Sequence, residues 1–242
     1  MVRKYLKAAF IGMCLLLPVY LLIAFLWANS VADELLMATP SRGQATQIHP
    51  RHVRALVMVE DPAFYEHAGL DISKGQGVTS ITSVLARDLF LGKHQVDGTK
   101  GAMQSFYRGV FNCCRKIDFG RDVMALVLDA RVTKQQQLDM YVGSTYFGSL
   151  DGKAVVGFEA AANGYYGKDL SRLTDREFYG LMAMPIAPNR YHPLRNPELH
   201  AERAKRIEAL VNGKCEASGW LDLTYEECAT DSAKTTTPSS SA

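Results

Sequence analysis

From Ala8 to Ala28 the chain runs for 21 residues without a charge, and few structures can absorb such a run. At about 1.5 Å rise per residue it crosses a hydrocarbon core about 30 Å thick, so the segment predicts a spanning helix. Pro18 lies inside it, and a proline is tolerated in such helices. Arg3, Lys4 and Lys7 precede the run, and Asp33 and Glu34 are the first charges after it. This asymmetry predicts a cytoplasmic N-terminus, a single pass through the cytoplasmic (inner) membrane, and the bulk of the chain on the extracytoplasmic side. Ser30-Val31-Ala32 resembles a signal-peptide cleavage site, but the apolar core exceeds the usual 7–15 residues or so of a cleaved signal, which favours an uncleaved anchor.

About 200 residues follow, enough for one domain with a sizeable core. The sequence divides into residues 1–28 (cytoplasmic N-terminus and anchor), 29–50 (a polar juxtamembrane linker), 51–228 (the folded domain) and 229–242 (a tail rich in Ser, Thr and Lys that predicts disorder). Lys plus Arg number 27 against 25 for Asp plus Glu, so no basic field announces a nucleic-acid partner. Of the five cysteines, Cys14 falls in the apolar run, Cys113 and Cys114 are adjacent, and Cys215 and Cys228 flank a short loop. The last two form a plausible disulfide in an oxidising compartment. No Cys/His spacing suggests zinc.

Most of the domain reads as helix. Apolar residues recur at helical spacing from Asp122 to Val142, with a break near Thr133, where Thr133 and Gln136 form a capping-box signature. Thr174 is a candidate N-cap, Pro185, Pro188 and Pro193 impose an irregular stretch, and an amphipathic helix runs from about Pro197 to Val211. The chemistry concentrates at Glu60 to Asp71. An apolar approach, Ala55 to Val59, delivers Glu60 and Asp61 to a boundary at Pro62. A carboxylate held at such an edge, beside apolar neighbours, can have its pKa raised and act as general acid or base. The plainer alternative has both acids capping and solvating a helix end, with Asp61 before Pro62 as a helix start.

The motif Glu60-Asp61-x-x-Phe64-x-x-His67-x-Gly69-x-Asp71 resembles the first motif of glycosyltransferase family 51, the peptidoglycan polymerases, at every fixed position. Gly77-Val78-Thr79-Ser80-Ile81-Thr82, then Arg87-Asp88-Leu89-Phe90-Leu91, is similar to the second motif without its two glutamines. Thr133-Lys134 through Tyr141-Val142-Gly143 and Tyr146-Phe147-Gly148 is similar to the fourth, with Gly143 in place of its asparagine. Gly157-Phe158-Glu159-Ala160-Ala161, Tyr165-Tyr166-Gly167-Lys168 and Pro188 to Pro193 follow the later pattern.

The resemblance implies a mainly α fold: a lysozyme-like helical lobe with a small membrane-proximal jaw, plus the N-terminal transmembrane helix. Phe106, Tyr107, Val110 and Phe111 suit either that jaw or core packing. It implies Glu60 as general base and substrate contacts at Asp61, Phe64, His67, Thr79, Ser80, Thr82, Arg87, Arg115, Lys116, Arg121 and Lys134, although a lone His is more often a packed structural residue. The partners it implies are a lipid-linked peptidoglycan precursor, the glycan chain, the membrane and other cell-wall synthesis proteins. Mg²⁺ or Mn²⁺ with pyrophosphate is chemically reasonable.

Two departures stand out. Arg121 falls where the family's second glutamate belongs, leaving Asp118 or Asp122 as candidate second carboxylate, and Arg121 itself as either a pyrophosphate contact or an arginine on a solvated face. The connection from Asp71 to Gly77 is shorter than the family's donor-side segment. The sequence therefore supports a peptidoglycan glycosyltransferase, with a non-catalytic precursor- or partner-binding relative as alternative and a lysozyme-like glycan-cleaving enzyme third.

Overall fold

The computed structural model describes residues 2–39, 45–71, 80–113, 119–218 and 222–229. It is mainly α, as the sequence predicts. Helix α1 (Val2–Ala38) is followed by α2 (Pro50–Glu60), α3 (Ile81–Phe90), α4 (Gly98–Cys113), α5 (Phe119–Asp129) and α6 (Lys134–Ser144). A hairpin of β1 (Tyr146–Leu150) and β2 (Lys153–Val156) leads to α7 (Phe158–Tyr166), α8 (Asp175–Met182) and α9 (Pro197–Val211).

Local chemistry sets the boundaries. Pro50 and Pro197 open α2 and α9 at their first turns, where a missing N–H costs nothing. The Ser80 side chain accepts from the Ser83 N–H to start α3, and Thr133 with Gln136 and Thr174 with Glu177 form capping boxes on α6 and α8. The break near Thr133 thus separates two helices. The antiparallel hairpin is not predicted by the sequence reading, yet its turn has a plain signature: Asp151 at φ 50 and Gly152 at φ 76 join Leu150 to Lys153.

Helix α1 corrects the expected linker. It continues to Ala38, and Ala24, Ala28, Val31, Ala32 and Leu35 are buried along it. Their i, i+3/i+4 spacing makes one apolar stripe, which packs on α3, α4 and α5. Ser30, Asp33 and Glu34 lie off that stripe and are exposed, while Pro40, Ser41, Arg42 and Gly43 of the expected linker lie outside the described residues. Arg131 donates to Asp33 at 2.8 Å and to the Asn29 side chain at 2.9 Å.

Helix α4 lies antiparallel beside α1. Trp27 Nε1 donates to the Lys100 carbonyl at 2.9 Å, while one end further along Tyr107 meets Trp27 and Tyr20 with ring centroids 5.1 and 5.8 Å apart. Tyr107 is therefore core and Phe106, 53% exposed beside it, is surface, so the apolar stripe of α4 serves both purposes. Arg108 anchors the start of the connection into α4 by donating to the Leu91, Gly92 and His94 carbonyls.

Candidate active site

Helix α2 ends at Glu60, and its C-cap Asp61 donates its N–H to the Val57 carbonyl at 2.9 Å. Asp61 is thus a helix end and not the start of one. Its carboxylate, 2% exposed, takes the His67 Nε2–H at 3.0 Å to each oxygen and the Ile81 N–H at 2.9 Å. The Gly69 N–H donates to His67 Nδ1 at 2.9 Å, which places the imidazole proton on Nε2. Burial pushes the Asp61 carboxyl up, opposed by His67, the Ile81 N–H and Lys134. Asp61 and His67 together fasten the loop after α2 to the first turn of α3.

Other residues expected to meet substrate are engaged in the same fastening. Ser80 Oγ donates to the Gly69 carbonyl at 2.8 Å. Thr82 is buried and donates to Gln137 Oε1 at 2.6 Å, joining α3 to α6. Phe64 is buried beneath Lys134, whose Nζ lies 4.6 Å from the ring centroid and 2.7 Å from Asp129. Arg87 is the expected residue that reaches the cleft, paired with Asp88 at 2.8 Å. Thr79, Arg115, Lys116 and Asp118 lie outside the described residues.

Glu60 faces a cavity of about 480 Å³, lined also by Arg87, Asp88, Tyr141, Tyr146 and Arg203. The Tyr141 hydroxyl donates to Glu60 Oε2 at 2.8 Å. Burial pushes the Glu60 carboxyl above its ordinary value; the Tyr141 hydrogen bond and the Arg203 charge act against that, and Asp61 adds to it. Burial and the Glu60 charge hold the Tyr141 phenol well above its ordinary value, so it remains a donor. An adjoining cavity of about 340 Å³ shares Asp88 and Ser144 as walls and runs on to Lys93, His94 and the end of α1. Carboxylate, hydroxyl donor and cations therefore meet in a groove suited to general-base chemistry beside an anionic leaving group.

The residue standing for the second glutamate behaves differently from either sequence expectation. Arg121 is on no solvated face. It is buried, donating from Nε and Nη2 to Asp122 Oδ1 at 3.2 and 2.8 Å, and neither residue lines the Glu60 cavity.

Sequence reasoning passed over Tyr141 and Arg203. Tyr141 stands inside a quoted motif, and Arg203 falls on the buried side of α9 with His200, Ala204 and Ile207, so a charge within an apolar stripe was its signal.

The model of the transglycosylase family matches residues 37–211. The chain belongs to that family, glycosyltransferase family 51. Among its curated relatives, penicillin-binding protein 1F of Bacillus subtilis is 31% identical over 167 residues, 67% of this chain and 22% of that protein. Penicillin-binding protein 1A of Pseudomonas aeruginosa is 33% identical over 159 residues, 64% of this chain and 18% of its own length. Penicillin-binding protein 1B of Escherichia coli is 27% identical over 173 residues, 66% and 18% of the respective lengths. The chain thus spans about a fifth of each relative. Family membership makes the helical body lysozyme-like, as the motif resemblance implies.

Among the described residues no group of three or more His, Cys, Asp or Glu side chains is gathered to hold a metal ion.

Proposed function

We propose that this transglycosylase polymerises lipid-linked disaccharide-peptide units into peptidoglycan strands from the extracytoplasmic face of the inner membrane, anchored by α1. The observation that carries this is the Glu60 carboxylate, half-buried at the end of a helix, held by the Tyr141 hydroxyl and facing a groove with cations on its wall. In the reaction Glu60 takes the proton of the acceptor sugar hydroxyl as its oxygen bonds to the anomeric carbon of the donor. The anomeric bond to the lipid pyrophosphate breaks, and the electron pair leaves on the pyrophosphate. Arg87 is the described cation best placed to meet that charge, and the adjoining cavity gives a second sugar room beside the first.

The test is polymerisation of labelled precursor by the full chain in detergent, with Glu60→Gln as control. Glycan strands made by the wild type and lost in Glu60→Gln support the proposal. One observation favours a second reading, a non-catalytic precursor-binding relative: the family's second carboxylate is replaced by Arg121, locked onto Asp122. Precursor binding without turnover in either protein would establish it.

A further inference from the structure

The family match ends at Val211, yet the chain beyond it is built into the Glu60 site. Cys215 and Cys228 form a disulfide, Cα atoms 5.5 Å apart, closing a strap after α9. Within it Asp222 accepts from the Ser218 N–H and hydroxyl at 3.1 and 3.0 Å and from the Tyr225 N–H at 2.7 Å, and the Cys228 N–H donates to the Tyr225 carbonyl at 3.0 Å. These bonds hold Tyr225 at φ 55, a left-handed conformation that an aromatic residue keeps only when its surroundings impose it.

The side chain is thereby turned inward and is 1% exposed. Its hydroxyl donates to the Val59 carbonyl at 2.6 Å. Helix α2 ends at Glu60, so Val59 is among the last four carbonyls, which have no partner within the helix; Tyr225 supplies one, at the residue before the proposed base. Its ring also lies 5.8 Å from the Arg203 guanidinium carbon, which Tyr191 meets at 5.1 Å. Arg203 is 2% exposed, donates from Nε to the Ala183 carbonyl at 3.1 Å, and has a buried Nη1 without a hydrogen-bond partner. With one hydrogen bond among the described residues, the guanidinium is held in place chiefly by its packing against the Tyr191 and Tyr225 rings. Leu223 of the strap lines the same cavity as Glu60 and Arg203.

We propose that Tyr225 is a positioning residue for the transfer reaction: through the disulfide-closed strap it holds the last turn of α2 and the Arg203 guanidinium in place, and so sets the Glu60 carboxylate in the groove. The proposal rests on Glu60 being the base, and it makes full activity depend on an oxidising compartment. The groups facing Glu60 are Tyr141 from α6, Arg203 from α9, Arg87 and Asp88 from α3, Tyr146 from β1 and its neighbour Asp61, and Leu223 of the strap closes part of the same wall.

The experiment compares wild type, Tyr225→Phe, Tyr225→Leu and the Cys215→Ser/Cys228→Ser double variant, all as full chains in detergent. It reads kcat and KM for labelled precursor and follows the Glu60 carboxyl by ¹³C NMR titration, its signal assigned by loss in Glu60→Gln. Tyr225→Phe keeps the ring on Arg203 and loses only the bond to Val59. We expect its kcat to fall about tenfold with KM unchanged, with larger losses in Tyr225→Leu and the double variant. In these two the Glu60 midpoint moves down towards the ordinary carboxylate value as water enters. Folded variants that keep the wild-type kcat and Glu60 midpoint overturn the proposal and leave the strap a clamp on the fold. A wild type without turnover, whose Glu60 midpoint still follows the strap, overturns the polymerase reading and keeps the hold on Glu60. No turnover and no movement of the midpoint overturns both.

Discussion

Glu60 and Asp61 are adjacent carboxylates with opposite surroundings. Asp61 is closed in by His67 and the Ile81 N–H, whereas Glu60 receives a single hydrogen bond from the described residues and faces the groove. Glu60→Gln should therefore remove 10²-fold or more of the polymerisation rate, the scale of a general base, while leaving the fold intact. The same variant tests the buried charge. Because the folded-state pKa of Glu60 lies above the ordinary value, the stability it contributes is fully present below the unfolded pKa and is lost as pH rises through the folded pKa. Wild type should thus lose stability over that interval relative to Glu60→Gln, seen as diverging Tm values in thermal melts at stepped pH. Tyr141→Phe removes a hydrogen bond that favours the ionised carboxylate, so the acid limb of the rate profile should move to higher pH.

At the scale of elements, the loop after α2 is pressed directly onto α5. Gly69 sits at φ 100, and a Cβ there would meet the Ala125 carbonyl oxygen at 2.7 Å, a backbone atom that cannot swing aside. Gly69→Ala should cost roughly 2–4 kcal/mol through strain and displacement of α5 from the loop, measurable by chemical denaturation. This glycine, His67 and the capping residues Thr133 and Thr174 were legible because each is local: a few residues fix a turn or a helix start. The hairpin was less so. Its strands are five and four residues long, and Tyr146-Phe147-Gly148 reads first as the end of a motif. The Glu60 position could be read from its motif, but its partners could not. Tyr141 lies 81 residues away and Arg203 reaches the groove only when α9 packs beside α2. The role of Arg121 was illegible for a related reason: whether an arginine is buried depends on which face of α5 meets α3, and sequence register alone did not decide it.

At the scale of the whole molecule, α1 is both a membrane-length helix and part of the core. Its segment Leu16–Ala38 has mean hydropathy 1.6 and is long enough to cross a bilayer, while its later turns are covered by the domain. Polar residues from Asn29 to Glu34 and the Pro40-Ser41-Arg42-Gly43 run after them hid that second role in the sequence, because a stripe one residue in three or four wide survives among charges. Trp27 is the test. It is 6% exposed, packs at a tilt against the Tyr107 and Phe90 rings and donates to the Lys100 carbonyl. Trp27→Ala should destabilise the domain by about 3–5 kcal/mol, with faster amide hydrogen exchange in α4.

The docking of α1 has a further consequence. From Tyr20 to Leu35 the helix gives the domain about 22 Å of rigid contact, a mooring without slack. With α1 across the bilayer as proposed, the groove rides at one fixed height and cannot reach for material in bulk water. Its encounters become a search in two dimensions, governed by how many lipid-borne units share its leaflet per unit area. Diluting those units with inert lipid at constant total concentration should slow the enzyme as surely as removing them.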